Sequence, residues 1–454
     1  MNQNGTLYPL VEKLQSRALV VGLGAAALSL VGAFLDRTHF DRAYLFSYIF
    51  VTGLALGSLA LLMIHRQLGG AWGFLIRRPL EASAMTLPLM AVLFIPVFID
   101  LDRIYPWVNH PPGVESEHGG LPEAAPKVAK KEAGPDSPVK VLSKVGEGPS
   151  SAAKIEAKNE SLESGFKAKW LNPQAFTVRF AIYFALWIVL AYVLGIGSRR
   201  QDETGSTDLA YNLNGLSAPG LVIYFLSVSF ALIDWTMSLE PAWYSSLYGV
   251  LLIIGQGISA MALMIMVAAM ISRRGEVEGL DKPETFNDLG NLLLAFTMLW
   301  GYLSFSQFLI IWAGNLSEEI PWYMRRLHGG WEWMGRFLIV FHFAVPFLIL
   351  LSRPLKRNIS ALWKVAALVL VSHLIDDYWL IASSSAFDPK DASGAVIMSP
   401  NPGWFSPSFL DLIVPLAIGG IWFSVFLRFL KSRPLMVAHD PQLLPALKQA
   451  LGGH

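Results

Sequence analysis

Cysteine is absent from the 454-residue chain. Its absence excludes disulfides, thiolate zinc sites, iron–sulfur clusters held by this polypeptide and covalently attached c-type haem. Charge is scarce too. Asp, Glu, Lys and Arg make up 15% of the residues, where a soluble domain carries about a quarter. The formal net charge of +1 leaves no basic field for a polyanion, so nucleic acid is not an expected partner. No glycine-rich loop ends in Gly-Lys-Ser/Thr, which removes that kind of phosphate cradle. Apolar side chains are plentiful instead: 54% hydrophobic residues, with 15 Trp and 27 Phe. This composition excludes a disordered chain and an ordinary water-soluble enzyme.

A bilayer core about 30 Å thick needs a helix of about 20 mostly apolar residues. About ten runs qualify. They are Arg17 to Leu35, Ala43 to Ile64, Leu80 to Ile99, Gln174 to Gly197, Ser217 to Leu239, Leu247 to Ile271, Asp288 to Trp312, Met334 to Leu351, Ala361 to Ile381 and Phe409 to Leu430. Porin strands would alternate apolar and polar residues, and these runs do not. The first run follows Lys13 and Arg17 but has no obvious small-x-small cleavage site, and Asp36-Arg37 come directly after it, so it reads as a retained span. The expected fold is therefore all-α and integral to the membrane. Leu232-Ile233-Asp234 and Leu374-Ile375-Asp376 lie four spans apart. Their spacing suggests repeated four-helix units, spans two to five and six to nine, with helices one and ten flanking them.

Lys and Arg near the span ends set the expected orientation. One set of loops carries Arg66, Arg77 and Arg78; Arg199 and Arg200; Arg273, Arg274 and Lys282; Arg353, Lys356 and Arg357; and the tail adds Lys431 and Arg433. The other set carries Arg37, Arg42, Arg325, Arg326 and Lys390, apart from the long polar loop, whose lysines carry no weight because long loops cross largely regardless of charge. The alternation places both termini in the cytoplasm. The chain divides into spans one to three (1–110), a polar low-complexity periplasmic loop (111–168), spans four to ten (169–430) and a cytoplasmic tail (431–454). The loop is rich in Ala, Lys, Glu, Gly, Pro and Ser and reads as a tolerated insertion or as a docking arm for a partner.

An ionisable group at mid-bilayer costs about 2.5–3.5 kcal/mol on insertion scales. Asp234 lies in the fifth span, His342 in the eighth, and His373, Asp376 and Asp377 in the ninth. Offsets of three and four residues put both ninth-span carboxylates near the imidazole on one helical face. Desolvation and mutual charge fit such groups for taking up and returning protons. The alternative is that they pair and hold helices together. Arg325, Arg326 and Arg336 read as interface anchors, and Asp100, Asp102 and Arg103 as solvated or surface-paired groups at a span end. A b-type haem would need paired axial histidines. His342 and His373 are the only mid-span pair, which is too few for a two-haem core.

Several stretches together resemble one family. They are Asp234-Trp235-Thr236-Met237-Ser238-Leu239-Glu240-Pro241-Ala242-Trp243-Tyr244-Ser245; Leu171-Asn172-Pro173 with Arg179; and Phe305-Ser306-Gln307 through Gly314-Asn315 with Glu318-Glu319. Gly330-Trp331 with Phe341-His342-Phe343, Ser352-Arg353 with Lys356-Arg357, and His373 with Asp376-Asp377-Tyr378-Trp379 complete the set. The combination resembles one of the membrane subunits of bacterial alternative complex III, a quinol:cytochrome c oxidoreductase, within the NrfD/polysulfide-reductase-type membrane proteins.

That resemblance implies ten helices with two four-helix bundles, and a place in the bacterial inner membrane. It implies a complex with a sister NrfD-like subunit, an iron–sulfur subunit and cytochrome c subunits, surrounded by lipid. Quinol would be the substrate of the complex, with its site on the sister subunit, and haem c and the clusters would sit on partners. This chain would bind no cofactor and would not be the catalytic redox subunit. Its role would be structural, with proton translocation through Asp234, His342, His373, Asp376 and Asp377 as a candidate activity. The alternatives are a quinol-binding subunit of an NrfD-like oxidoreductase and a stand-alone secondary transporter.

Overall fold

A computed structural model describes residues 7–109, 165–274, 279–316, 319–388, 404–435, 440–443 and 445. Most of the 111–168 segment, Glu318, Lys390 and most of the 431–454 tail fall outside the described residues. Of the polar segment, residues 165–168 are described and belong to a short helix over 165–170.

The described residues contain ten helices long and apolar enough to cross a membrane, and no strand. They are α1 (Leu7–Leu35), α2 (Arg37–Leu68), α3 (Ala71–Ile99), α4 (Pro173–Thr204), α5 (Thr207–Trp235), α6 (Tyr248–Ser272), α7 (Pro283–Gly314), α8 (Trp331–Leu350), α9 (Ile359–Ala382) and α10 (Leu410–Leu430). The protein is an all-α, multi-pass membrane protein.

Local chemistry sets several helix starts. Asp36 and Asn172 accept from the amides of His39 and Ala175, capping α2 and α4. Asn358 does the same for α9 through Ser360 and Ala361. Prolines divide α3. Pro88 and Pro96 each stand in the first turn of a new short helix, Leu87–Val92 and Ile95–Ile99, where a missing N–H is tolerated.

Helices α2 to α5 form one bundle and α6 to α9 the other. The first helix of each, α2 and α6, is buried around most of its circumference. A helix that is apolar on every side belongs inside a protein or a membrane, and these two occupy the middle. They pack on each other, and α2 also meets α3, α5, α9 and α10, while α6 meets α5, α7 and α9. Gly57 permits α2 and α6 to cross closely: a methyl group there would land on the backbone carbonyl of Gln256. Outside the bundles α1 lies along α10. Its other faces present Val20, Leu23, Leu30 and Phe34 outward, as lipid contact requires. Lys431 lies over the Tyr8 ring at 5.8 Å, so α1 starts and α10 finishes at the same end of the molecule.

The third span starts at Ala71, earlier than the expected Leu80. Arg77 and Arg78 therefore lie inside a helix and are buried, not in a loop, and Arg66 is buried in the last turn of α2. Glu81 explains their placement. Arg78 donates to it at 2.7 Å, and Arg77 and Arg433 lie 3.5 Å from it. Arg78 also donates to Asp202 at 2.5 Å, and Arg77 to Asp440 at 2.5 Å. Burial alone would raise the Asp440 carboxyl, but the Arg77 guanidinium outweighs it and holds the group below its ordinary value. Asp440 is buried, so this part of the tail is docked against α3 and α4.

A side chain at Gly57 should separate the central helices. Gly57→Val is expected to destabilise the protein by about 1–3 kcal/mol or more through overpacking. Gly24, with open space around its Cα, is the control: thermal unfolding in detergent should show Gly24→Ala close to wild type and Gly57→Val well below it.

Candidate functional site

Asp234 stands one residue before the end of α5. Sequence alone leaves its counter-charge unidentified, and the structure supplies it from α4. Arg179 donates Nε to Oδ2 at 2.8 Å and Nη2 to Oδ1 at 2.9 Å. This bidentate fork is the strongest common form of guanidinium–carboxylate pairing. Trp170 Nε1 donates to Oδ1 at 2.8 Å, and the Tyr183 hydroxyl to Oδ2 at 3.0 Å. Arg179 is itself held in place, with its guanidinium 4.2 Å from the Trp170 ring and a hydrogen bond to the Trp170 carbonyl. The Asp234 carboxylate is thus balanced by a fixed cation and held by four donated hydrogen bonds. The available sequence signal is Arg179 itself, an arginine within an apolar span.

The ninth span contains a different arrangement. His373 Nδ1 lies 3.5 Å from Asp376 Oδ2, and Nε2 lies 3.8 Å from Asp377 Oδ2. The expectation that both carboxylates share one face with the imidazole therefore holds. All three side chains are buried, at most 4% exposed. From the facing helix α8, His342 brings its ring to 5.4 Å from that of His373. Among the described residues no arginine or lysine lies within ion-pair distance of Asp376 or Asp377. His373 is nine residues from the end of α9, which puts it about 14 Å deep at 1.5 Å per residue.

Three local features build this cluster. Residues Leu338–Ala344 of α8 form a π-helix containing His342. It stands just ahead of Pro346, whose missing N–H cannot complete the ordinary bond to the His342 carbonyl. Gly255 of α6 leaves room for His373, since a methyl group there would land on the imidazole. Trp300 of α7 donates Nε1 to Asp376 Oδ2 at 2.9 Å and packs its ring edge-on against His342, centroids 4.2 Å apart. Four helices thus converge on one polar point.

Its hydrogen bonding is incomplete. Neither ring nitrogen of His342 has a hydrogen-bond partner, and neither does Nδ1 of His373, although all are buried. Most buried polar groups in proteins are satisfied, so this cluster has capacity for a proton carrier or a ligand. His342, His373 and Asp376 each offer one ligand atom, and the three atoms lie within 4.8 Å of one another.

Other sequence-singled residues sit elsewhere. Arg326 is fully buried and is not an interface anchor: it stacks on Trp322 at 3.6 Å and donates to the carbonyls of Trp322 and Leu380 at 2.8 Å. Burial pushes its guanidinium below the ordinary value, while Glu240, 3.5 Å away, opposes this. Arg325 pairs with Asp388 at 2.8 Å, and Arg336 lies over Trp333. Asp100 is buried and bonded to Arg37, which replaces the expectation of a solvated or surface-paired group. Arg103 does pair, with Asp41 at 3.3 Å. Asp411 accepts from Arg42 at 2.7 Å, Tyr378 at 3.0 Å and the Ser408 amide at 2.8 Å. Midway along α5, Tyr224 donates to Gln256 at 3.1 Å.

No family model matches the chain, and no curated protein matches it. The residues themselves therefore carry the functional reading.

The Asp234 pair is open to a direct energetic check. Removing one partner of a buried ion pair strands the other charge and costs about 3–5 kcal/mol. Arg179→Gln and Asp234→Asn should each lower unfolding stability on that scale. The double variant should lose much less than the sum of the two, as a double-mutant cycle in detergent would record.

Proposed function

We propose that this chain is an integral membrane subunit of a quinol-oxidising complex of the alternative complex III type, and that His342, His373, Asp376 and Asp377 form its proton-holding station. One observation carries the proton role: two carboxylates and two imidazoles share an apolar interior with no fixed cation among the described residues. Uncompensated charge there is expensive, so its balance depends on protons. A site whose charge is set by protons can release and rebind them.

Asp234 belongs to the same candidate pathway by sequence. Its charge is already matched by Arg179, so its role in this reading is to hold α4 and α5 in register. The assignment to a quinol:cytochrome c oxidoreductase rests on the combined motifs around Asp234, Gln307, His342 and Asp376-Asp377. In that setting the redox groups belong to partner subunits: a sister membrane subunit, an iron–sulfur subunit and cytochrome c subunits. The positive-charge bias of alternate loops supports an orientation with both termini cytoplasmic, and the resemblance supports a bacterial inner-membrane location.

The test is reconstitution of the purified complex into vesicles. Asp376→Asn with Asp377→Asn should lower protons moved per quinol oxidised at least severalfold, while subunit composition and uncoupled quinol oxidation stay near wild type. Normal proton movement in the doubly substituted complex would remove the proton role. A preparation emerging without c-type haem subunits would remove the assignment to such a complex.

A further inference from the structure

We infer that His342, His373 and Asp376 form a binding site for a divalent transition-metal ion of the zinc class. The same ion would compete with protons for the cluster, and only that competition rests on the proton-station reading above. The site itself rests on the donor set and its geometry.

The three ligand atoms lie within 4.8 Å of one another. Zinc bonds to imidazole nitrogen and carboxylate oxygen of about 2.0–2.2 Å place tetrahedral ligands about 3.3 Å apart. Side-chain rotation has to close at most about 1.5 Å, the difference between those separations. The free valences are correctly placed for this. His342 has both ring nitrogens without a hydrogen-bond partner, and His373 has Nδ1 without one. Each imidazole can therefore ligate without breaking a hydrogen bond.

The surroundings also match a metal site. His373 turns Nε2 toward Asp377, 3.8 Å away, while Nδ1 faces Asp376. A carboxylate behind a ligating imidazole fixes the ring and raises its basicity. Trp300 performs the equivalent service for the other ligand by its hydrogen bond to Asp376. A divalent ion would neutralise Asp376 and Asp377 together, which no fixed cation among the described residues does. Two imidazoles and one carboxylate favour zinc, copper, iron or nickel over magnesium and calcium. Three protein ligands leave a fourth position for water. The chain has no cysteine to compete.

The experiment uses the full chain in detergent, with any affinity tag removed, stripped with a chelator and equilibrated with zinc alone. Metal per chain is counted by mass spectrometry, and zinc-edge X-ray absorption reports the ligands. Wild type should retain one tightly held zinc with imidazole ligation. His342→Gln and His373→Gln should lose it, and Trp300→Phe should weaken it roughly 10–100-fold, the usual effect of removing an outer-shell partner. His65→Gln, which alters a buried histidine in the last turn of α2, away from the α8 and α9 ligands, should keep it. Zinc should also raise the unfolding temperature of wild type but not of His342→Gln, which separates lost binding from lost folding. Equal zinc retention by wild type and His342→Gln, or no retention by wild type, overturns the proposal. Zinc bound by wild type with unimpaired proton movement in the Asp376/Asp377 variants would leave the metal site standing and remove the proton station. The opposite pair of results would do the reverse.

Discussion

Charge placed inside a low-dielectric layer has to be balanced by something, and this protein balances it in two ways. In the first bundle the balance is permanent: Arg179 grips Asp234 through two hydrogen bonds, with Trp170 and Tyr183 completing the shell. In the second bundle Asp376 and Asp377 face two histidines in place of an arginine. Guanidinium keeps its charge, whereas imidazole changes charge near neutral pH. The two bundles therefore separate along one chemical line. One holds a fixed ion pair that joins α4 to α5, and the other holds carboxylates and imidazoles with no arginine or lysine within ion-pair distance among the described residues, which in the proposed reading leaves their charge to protons.

The architecture makes the second arrangement possible. The α2–α6 contact at Gly57 brings the two bundles together on their most buried helices. Gly255 on α6 then clears the space into which His373 points from α9. From the other side the π-helix of α8 presents His342, and α7 supplies Trp300. Every helix of the second bundle contributes to the polar point, so its geometry depends on the bundle packing as a whole. At the end where α1 starts and α10 finishes, Glu81 and Asp440 gather Arg77, Arg78 and Arg433 into a buried network that ties α3 to the described part of the tail. Fixed charge is thus used for anchoring at that end as well as around Asp234.

Much of this was legible in the sequence. Ten apolar runs correspond to ten spanning helices, because run length and the bilayer thickness are tied directly. The His373-Asp376-Asp377 grouping was legible too, since offsets of three and four share a helical face. What sequence could not supply was pairing across helices. Arg179 and Asp234 are 55 residues apart, and Trp300 and Asp376 are 76 apart, distances over which periodicity carries no information. Arg77 and Arg78 read as loop residues because basic side chains usually mark span ends, yet Glu81 allows them inside α3. Arg326 reads as an interface anchor for the same reason, and its buried seat on Trp322 depends on the Leu380 carbonyl from α9. The π-helix at His342 had one sequence signal, Pro346, which marks a break in ordinary helical bonding without specifying its form.

The proposed contrast between a fixed charge balance at Asp234 and a proton-dependent one at Asp376 and Asp377 is read directly by vibrational spectroscopy. Infrared difference spectra of the protein, recorded as pH is stepped, resolve the carbonyl stretch of protonated carboxyl groups. A titrating carboxyl band is expected that is lost in Asp376→Asn or Asp377→Asn and unchanged in Asp234→Asn. A titrating band that disappears with Asp234→Asn, or spectra in which the Asp376 and Asp377 variants match wild type, would contradict that contrast.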